Sequence, residues 1–456
     1  MESKMEKPHI KKILIANRSD TAIRIIHACK ELGISTVAVH STADSNSLHV
    51  KLADESVCIG PGPACKSYLN MQAIIAAAEI TNVQAIHPGI GFLSENDKFA
   101  EIVEEHGLIF IGPKPSTIAD FGSKIRARQI MAECGFDIIP GTIEPVNDLD
   151  SAKKIANKIG YPFMFKGAWC GGGKGIRLVK TESELNQAFE MACVEAERFS
   201  NKVDVYIEKY ISNARHIEFQ IACDEHGNCV HFGERDCSLQ RTHQKIWEEA
   251  PSTVLTDQMR EELGAKICSV MRKVGYRGVG TVELLFDIEE KKAYFMEMNT
   301  RLQVEHTITE SITGVDLVHL QIAIAQGLPL PFTQEDIMLN GHAIECRINA
   351  EDPQTFAPSP AQITTYLPPT GSGVRIESAA YAGYQIPLFY DSLLAKLIVH
   401  ASTREQAIMK MKIALEEYII EGPKTNIPLH LSLCKSDDVQ KANFNTNWIE
   451  KILLKI

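Results

Sequence analysis

Residues 281–310 read TVELLFDIEEKKAYFMEMNTRLQVEHTITE, and their pattern decides the fold of the central part of the chain. Two apolar runs, residues 281–286 and 293–298, flank a short charged turn. Each run mixes β-branched, aromatic and Leu or Met side chains, which is typical of adjacent strands joined by a hairpin. The stretch therefore predicts a β-hairpin.

Acidic residues interrupt this hairpin at positions where a buried strand would be apolar. Glu297 and Asn299 alternate onto one face, and strand pairing can bring Glu283 beside them. Such oxygen ligands suit Mg²⁺ or Mn²⁺ held together with nucleotide phosphates. Because ionisable residues rarely cluster in apolar strands without pairing or metal, we favour this site over a solvated hairpin. The polar residues that follow beside the predicted metal are Arg301, Gln303 and Glu305.

Length and composition limit the class of protein. A chain of 456 residues is expected to form roughly two to four domains. The net charge of −11 gives no basic field for nucleic acid or an anionic membrane. No apolar run reaches the ~18–20 residues that span a bilayer, and the charged start lacks the apolar core of a signal peptide. The 12 cysteines include no CxxC pair, so we predict reduced thiols and a cytoplasmic location.

The first part of the chain alternates apolar runs with amphipathic segments. Over residues 11–112 this alternation predicts a parallel, Rossmann-like sheet. The first strand-to-helix turn, residues 16–20, contains no glycine, so the GxGxxG fingerprint of NAD-binding folds is absent. Helical periodicity dominates residues 114–141 and predicts Lys124 in the middle of a helix.

A small α/β lobe is predicted over residues 141–210, and it contains a glycine loop at residues 166–175, KGAWCGGGKG. The loop is not a P-loop, because a glycine follows Gly173-Lys174 and a strand, not a helix, comes next. A glycine loop between two strands can fold its N–H groups over phosphates, to which Lys166 would add a positive charge. A flexible hairpin tip is the alternative.

Three further segments carry polar groups. RHIEFQI, residues 215–221, alternates as a strand, although His216 alone fits a core histidine better than a ligand. His243 and Lys245 follow in a polar segment and would share a face if it is extended. Arg347 projects from a strand predicted over residues 341–353.

These ordered blocks resemble the biotin carboxylase family, whose ATP-grasp members form a subunit of acetyl-CoA carboxylase. The resemblance extends over essentially the whole chain and is far more specific than any single motif. The matching stretches are ILIANR, ACKELGISTVAVH, KSYLN, AIHPGIGFLSEN, FIGPKPSTI, RHIEFQI, ERDCSLQRTHQK, GYRGVGTVELLF, MNTRLQVEH, TGVDL, GHAIECRINAEDP and YDSLLAKLIV.

The resemblance implies an α/β and α+β fold. It would comprise a Rossmann-like N-terminal domain, an ATP-grasp fold with a mobile lid, and a C-terminal β-rich domain. The expected divisions are residues 1–113 for the N-terminal domain, 114–140 for a helical linker, 141–210 for the lid, 211–340 for the catalytic core and 341–456 for the C-terminal biotin carboxylase domain.

The resemblance also implies roles for the residues that match the family's motifs. Glu305 would be the general base, and Arg347 would bind biotin and stabilise its enolate. The catalytic set would be Glu305, Arg301, Lys245 and Arg347. Bicarbonate would be bound by Lys245, Arg301, Gln303 and the backbone of Val304, and the metal by Glu283, Glu297 and Asn299. ATP would be bound by Lys124, Lys166, Gly171, Gly172, Gly173, Glu208, Lys209, Ile211, His216, Gln240, His243, Glu283 and Glu297, with Glu208, Lys209 and Ile211 framing the adenine.

The implied reaction is the ATP-dependent carboxylation of biotin by bicarbonate through carboxyphosphate, the first half-reaction of acetyl-CoA carboxylase in fatty acid synthesis. Its cofactors would be ATP, Mg²⁺ or Mn²⁺ at two sites, and biotin on a carrier protein, since we expect no biotin-accepting Met-Lys-Met segment in this chain. The implied partners are a biotin carboxyl carrier protein, carboxyltransferase subunits and a second copy of the chain in a homodimer.

Several positions depart from the family's pattern. Trp169 and Cys170 interrupt the usual glycine run, and a bulky Trp can restrict the loop. Ile90 replaces a tyrosine, Thr307 a proline, and His27 an arginine at the family's dimer surface. Three alternatives stay open: a ligase that activates a carboxylate for an amine, a component of a pyruvate or other acyl-CoA carboxylase, and a non-catalytic paralogue.

Overall fold

A computed structural model describes residues 10–146, 148–169, 175–200, 203–242 and 244–453. The first apolar runs form a five-stranded parallel sheet in the order β3-β2-β1-β4-β5. Its elements are β1 (Lys12–Ile15), α1 (Ser19–Glu31), β2 (Ser35–Ser41), α2 (Leu48–Leu52), β3 (Glu55–Gly60), α3 (Met71–Ile80), β4 (Ala85–His87), α4 (Asp97–Glu105) and β5 (Ile109–Phe110).

The Rossmann-like prediction is confirmed for this unit. β1, β2 and β4 are buried on both faces, as a parallel sheet covered by helices requires. The side chain of Asn70 caps α3 by accepting from the N–H of Ala73 at 3.2 Å. β3 is an edge strand in which only Ile59 is buried, so the sequence carries only a weak apolar signal for it.

Two helices and a small lobe follow. They are α5 (Pro115–Gly122), α6 (Lys124–Glu133), α7 (Leu149–Ile159), β6 (Phe163–Gly167), β7 (Ile176–Val179), α8 (Leu185–Ser200) and β8 (Val205–Lys209). The three strands form an antiparallel sheet in the order β7-β6-β8. The prediction of Lys124 in mid-helix is wrong. Ser123 ends α5 in an extended conformation and caps α6, which makes Lys124 the first residue of the second helix.

The remaining strands build mainly one antiparallel sheet of eight strands. The elements are β9 (Ala214–Cys223), β10 (Cys229–Arg241), β11 (Gln244–Ala250), α9 (Asp257–Lys273), β12 (Gly278–Asp287), β13 (Lys292–Asn299), α10 (His306–Thr313), α11 (Leu317–Ala325), β14 (His342–Asn349), β15 (Thr365–Leu367), β16 (Val374–Ser378), β17 (Leu393–Ala401), α12 (Arg404–Glu417), β18 (Ile419–Glu421), α13 (Ile427–Lys435), α14 (Asp437–Gln440) and α15 (Trp448–Leu453).

The order of the large sheet is β13-β12-β9-β10-β11-β14-β17-β16. β11 pairs with β14 along four residue pairs, so the sheet runs without a break across residue 340. The strands after that residue therefore extend the sheet that holds the central hairpin. β15 and β18 form a separate two-stranded sheet.

The predicted hairpin is confirmed as β12 and β13. Glu283 lies directly opposite Glu297, and Thr281 lies opposite Asn299. α10 was not predicted, since its sequence HTITESIT is rich in β-branched and hydroxyl residues of modest helix propensity. None of the described helices is both long and apolar enough to cross a membrane.

Candidate active site

The acidic residues of the hairpin lie opposite each other, with Glu283 buried and Glu297 partly exposed. Glu283 Oε1 accepts from the side-chain amides of Asn299 at 2.7 Å and Gln303 at 2.9 Å. Glu283 Oε2 lies 2.9 Å from His216 Nε2, and Glu297 forms an ion pair with Lys124. Two carboxylates and an amide oxygen are the donor set that Mg²⁺ prefers, so these residues fit such an ion.

Charge neighbours fix the ionisation of this group. Burial alone would raise the pKa of Glu283, but the charges of Lys245 and His216 lower it well below its usual range. Burial would lower the pKa of His216, but the charge of Glu283 raises it. Glu283 is therefore a carboxylate at neutral pH, as a metal ligand must be.

The cations predicted to contact phosphates are held by carboxylates. Lys166 Nζ lies 2.5 Å from Glu208 Oε2, and Arg128 Nη1 donates to Glu208 Oε1 at 2.5 Å. The carboxylate of Glu208, a residue predicted to frame the adenine, lies between these two cations, which neutralise its fully buried charge. Phosphate oxygens can exchange with such carboxylates at Lys124 and Lys166.

Lys245 lies at the centre of the predicted bicarbonate site. Its ammonium donates to Glu218 and Glu305, each at 2.5 Å, and to Glu283 at 3.3 Å. Arg301 is oriented by Glu95, whose Oε2 accepts from Nε at 2.7 Å, and it also donates to Asn299 Oδ1 at 3.0 Å. Two cations thus face the same small space.

Gln303 and Val304 lie in the segment that joins β13 to α10. Gln303 Oε1 accepts from Arg301 at 3.2 Å. The carbonyl of Val304 accepts from Lys396 Nζ at 3.2 Å, and this fixes the peptide that leads into Glu305. The structure therefore brings all four predicted bicarbonate ligands together.

Glu305 is fully buried between two cations. Its carboxylate accepts from Lys245 through Oε1 and from Arg347 through Oε2, the latter at 3.1 Å. Burial would raise the pKa of Glu305, but Lys245, Arg347 and Arg235 together lower it well below its usual range. The group is therefore ionised, and an anion bound to Lys245 raises its basicity by neutralising part of that positive field.

Arg347 projects from β14 into the same space. Glu248 Oε1 accepts from its Nε at 2.6 Å and lies 2.6 Å from its Nη2. Burial lowers the pKa of Arg347, but Glu248 and Glu305 raise it above its ordinary value. A permanent positive charge therefore lies next to the predicted base.

Sequence reasoning missed the buried partners of these residues. Arg235 is fully buried on β10 and donates to Glu218, Gln220, Thr309 and Thr281. Glu218 then offers its other oxygen to Lys245. Part of the signal was present, since His216, Glu218 and Gln220 alternate along β9, but alternation alone does not identify their partners.

A cavity of about 270 Å³ lies at the end of β8. Lys209 and Ile211 line it together with Pro140, Ile159 and Tyr294. Gln240 lies opposite Lys245 in the pairing of β10 with β11. The other predicted ATP ligands, Gly171, Gly172, Gly173 and His243, lie outside the described residues.

The start of the glycine loop is tied to the neighbouring strand. Trp169 Nε1 donates to Asp204 Oδ2 at 2.8 Å, and the N–H of Ala168 donates to the carbonyl of Asp204, also at 2.8 Å. The tryptophan thus adds a side-chain hydrogen bond that a glycine at this position could not make. Cys170 lies outside the described residues.

A Met-Lys-Met tripeptide does occur in this chain, at residues 409–411. It lies inside α12, where Lys410 Nζ donates to the carbonyls of Ser372 at 2.8 Å and His400 at 2.7 Å. A lysine held on two carbonyls within a helix is not displayed on an exposed turn.

Comparison with family models covers nearly the whole chain. The carbamoyl-phosphate synthase L chain, ATP binding domain, matches residues 123–333. The N-terminal and C-terminal domains of biotin carboxylase match residues 9–118 and 345–451.

Relatives and solved structures agree with those matches. Biotin carboxylase of Haemophilus influenzae is 52% identical over 445 residues, which cover 97% of this chain and 99% of that protein. A pyruvate carboxylase subunit of Methanothermobacter thermautotrophicus is 48% identical over 442 residues, covering 96% of this chain and 89% of that protein.

Among solved structures, biotin carboxylase of Campylobacter jejuni in a nucleotide complex has a TM-score of 0.95 at 46% identity, covering 97% of this chain and 99% of that one. The biotin carboxylase domain dimer of Hydrogenobacter thermophilus 2-oxoglutarate carboxylase, with MgADP, ADP and bicarbonate, also has a TM-score of 0.95, at 47% identity, covering 97% and 98% of the two chains. The predicted fold class is confirmed, and the chain belongs to the biotin carboxylase family.

Proposed function

We propose that this chain carboxylates biotin with bicarbonate at the expense of ATP, and that the residues around Glu305 perform the chemistry. The observation that carries the proposal is the row Lys245, Glu305 and Arg347, in which Glu305 is fully buried and which lies beside the acidic pair Glu283 and Glu297. In this row the base Glu305 lies between two cations. Lys245 is suited to bind the bicarbonate anion, and Arg347 is suited to stabilise the negative charge that develops on biotin.

Bicarbonate is a poor nucleophile until it loses a proton. Bound by Lys245, Arg301, Gln303 and the N–H of Val304, it displaces Lys245 from Glu305, and the freed carboxylate accepts its proton. The dianion then attacks the γ-phosphate of ATP, the bond to the β-phosphate oxygen breaks, and carboxyphosphate and ADP are formed. A positioned base of this kind contributes roughly 10²–10⁴-fold in rate.

The nucleotide would be held by the lysines at its phosphates. Lys124 and Lys166 spread the charge of the transferring phosphoryl group, while Lys209 and Ile211 border the adenine. Glu283, Glu297 and Asn299 would hold Mg²⁺, which would neutralise the charge that develops on the transferring phosphoryl group. The lid would exclude water from the carboxyphosphate.

Arg347 would act in the second step. Carboxyphosphate would break down beside biotin to CO₂ and inorganic phosphate, and the phosphate would accept the proton of the ureido nitrogen. The ureido oxygen then carries negative charge, and the nitrogen attacks CO₂ to form carboxybiotin. A fixed guanidinium within the site stabilises that enolate without reorganisation.

The carboxyl acceptor belongs to the partner, and we propose acetyl-CoA carboxylase as the whole assembly. Its other parts would be a biotin carboxyl carrier protein and carboxyltransferase subunits, with two copies of this chain in a homodimer in the cytoplasm. Membership of a pyruvate or related carboxylase is a second candidate, because a pyruvate carboxylase subunit is 48% identical to this chain. Transfer from carboxylated carrier to acetyl-CoA or pyruvate by purified carboxyltransferases would separate them.

The deciding test is ADP release with Mg²⁺ and bicarbonate, with and without free biotin, for the wild type and Glu305→Gln. We expect stimulation by biotin and a loss of at least about 100-fold in the variant, with ATP binding retained. Glu249→Gln is the matched control, since it removes a neighbouring buried carboxylate that pairs with Arg404 instead of Lys245.

Other outcomes have distinct meanings. Turnover that ignores biotin but responds to an amine would support a ligase of the carboxylate–amine type. ATP binding without turnover in the wild type would support a non-catalytic subunit whose glycine loop no longer closes.

A further inference from the structure

Two buried glutamates lie side by side beneath Arg347. Glu248 on β11 and Glu345 on β14 are directly opposed in the antiparallel pairing, and both are fully buried. Opposed residues of this kind have Cβ atoms about 5 Å apart, so two carboxyl groups can reach each other. Neither residue has a role in the reaction described above.

Each carboxyl group has one partnered oxygen and one without a partner. Glu248 Oε1 accepts from Arg347, and Glu345 Oε2 accepts from the hydroxyl of Thr307. Within the described part of the chain, Glu248 Oε2 and Glu345 Oε1 are buried and accept no hydrogen bond. A buried carboxylate oxygen without a donor is costly, and two adjacent carboxylates also repel each other.

One proton removes both costs. We propose that Glu248 and Glu345 share a single proton between these two oxygens, and that this carboxyl pair positions Arg347 for biotin. The pair then carries one negative charge. This charge holds the guanidinium of Arg347 through Glu248 but leaves the guanidinium able to attract the ureido oxygen of biotin. The inference rests on the role proposed above for Arg347.

The surrounding charges support a shared proton. Arg347, Glu305 and Lys245 face Glu248, while Lys396, Arg347, Glu305 and the hydroxyl of Thr307 face Glu345. Burial raises the pKa of Glu248 to about 8 against the charge of Arg347, and Glu345 raises it further. Burial also raises the pKa of Glu345 to about 7, against Lys396 and Arg347. The titration belongs to the pair, not to either residue alone.

Loss of the shared proton at alkaline pH increases the negative charge next to Arg347. A second negative charge then lies against the guanidinium and competes with the ureido oxygen of biotin. We therefore expect kcat/KM for free biotin to fall above the transition of the pair, by about tenfold per pH unit once it is passed.

Two isosteric variants separate the members of the pair. Glu345→Gln fixes the neutral state at one member, so the alkaline fall assigned to the pair should disappear. Glu248→Gln removes the same charge but also turns the ionic contact with Arg347 into a neutral hydrogen bond, so KM for biotin should rise about tenfold or more. Thr307→Val removes a donor that lowers the pKa of Glu345, so the transition should move to higher pH.

Glu249→Gln is again the matched control, because Glu249 is a buried glutamate on the same strand that pairs with Arg404 and not with Arg347. In this variant, kcat/KM for free biotin should fall at the same alkaline pH as in the wild type. An unchanged alkaline fall in Glu345→Gln would overturn the proposal.

An infrared titration tests the pair without any turnover. The wild type near neutral pH should show the C=O stretch of a protonated, buried carboxylic acid, and this band should be lost in both Glu345→Gln and Glu248→Gln. A band that persists in both variants, or is missing from the wild type, would refute the shared proton. Absence of biotin-dependent turnover with the band present would instead count against the proposed function.

Discussion

The ammonium group of Lys245 donates to three carboxylates, and these use all of its N–H bonds. A bicarbonate ion can reach this lysine only by replacing one of those contacts. Replacing Glu305 both admits the substrate and frees the base that accepts its proton. One lysine therefore couples substrate binding to activation of the base.

Lys245→Gln should raise KM for bicarbonate at least about tenfold, because an ionic contact becomes a neutral one. Three buried carboxylates would also lose their shared cation, so the free energy of unfolding should fall by roughly 3 kcal/mol. Steady-state kinetics and denaturant unfolding measure the two effects. Lys266→Gln, which removes an exposed lysine paired with Asp137, is the control, and an unchanged KM would contradict the assignment.

Trp169→Gly should lower KM for ATP, because it removes the bond to Asp204 and restores the conformational freedom that a closing loop requires. Asp204→Ala removes the same bond but keeps the bulky side chain. A fall in KM for both variants would identify the hydrogen bond as the restraint, whereas a fall only for Trp169→Gly would identify the size of the indole. An unchanged or higher KM in Trp169→Gly would contradict the prediction.

Among the elements, β11 presents a glutamate on each of its two faces, and the two glutamates have different roles. Glu248 faces Arg347, while the next residue, Glu249, faces Arg404 at 2.9 Å and His342 at 3.4 Å. The second group joins β11 to β14 and to the start of α12. A single strand thus contributes to the reaction on one side and to the stability of the C-terminal part on the other.

Burial alone would raise the pKa of Glu249, but His342 and Arg404 lower it to about 2 from the usual 4.5. Its stabilisation is therefore present above about pH 4.5 and is lost as the pH falls toward 2. Glu249→Gln should reduce the free energy of unfolding at neutral pH by about 3 kcal/mol and flatten its acid dependence. Unfolding curves measured across this pH range test the prediction. If the free energy of unfolding of the variant depended on pH as strongly as that of the wild type, the prediction would be contradicted.

The sequence carried enough information for the hairpin and for its acidic face, because period-2 alternation depends only on local spacing. It was insufficient for α10, whose β-branched residues are helical through packing against the large sheet. It also did not reveal that Glu208 binds Lys166 and Arg128, or that Arg235 orients Glu218. Those pairings join residues distant in the chain, so only the register of the strands identifies them.

At the scale of the whole molecule, one exposed face combines charges of both signs. Arg24, His27 and Glu31 on α1 line a cavity of about 340 Å³ with Asp316 and Arg375. Glu31 Oε2 lies 2.9 Å from His319 Nε2. A self-complementary surface of this kind suits a two-fold interface between copies of the chain.

The protein should sediment as a dimer at micromolar concentration. Glu31→Arg should shift it toward the monomer, because like charges would then face each other around Arg24 and Arg375. Glu105→Arg, an equal charge reversal on α4, is the control and should leave the dimer intact. A wild-type monomer at that concentration would refute dimerisation through this face.

The unbroken pairing of β11 with β14 has a consequence for synthesis of the chain. The N-terminal sheet is complete once β5 has left the ribosome, whereas the large sheet must wait for β14 and then for β17, which ends at Ala401. Pairings between such distant segments form slowly, and an unpaired strand edge invites aggregation meanwhile. A nascent chain stalled before β14 would therefore expose the edge of β11, and protection by a chaperone matters most during that interval.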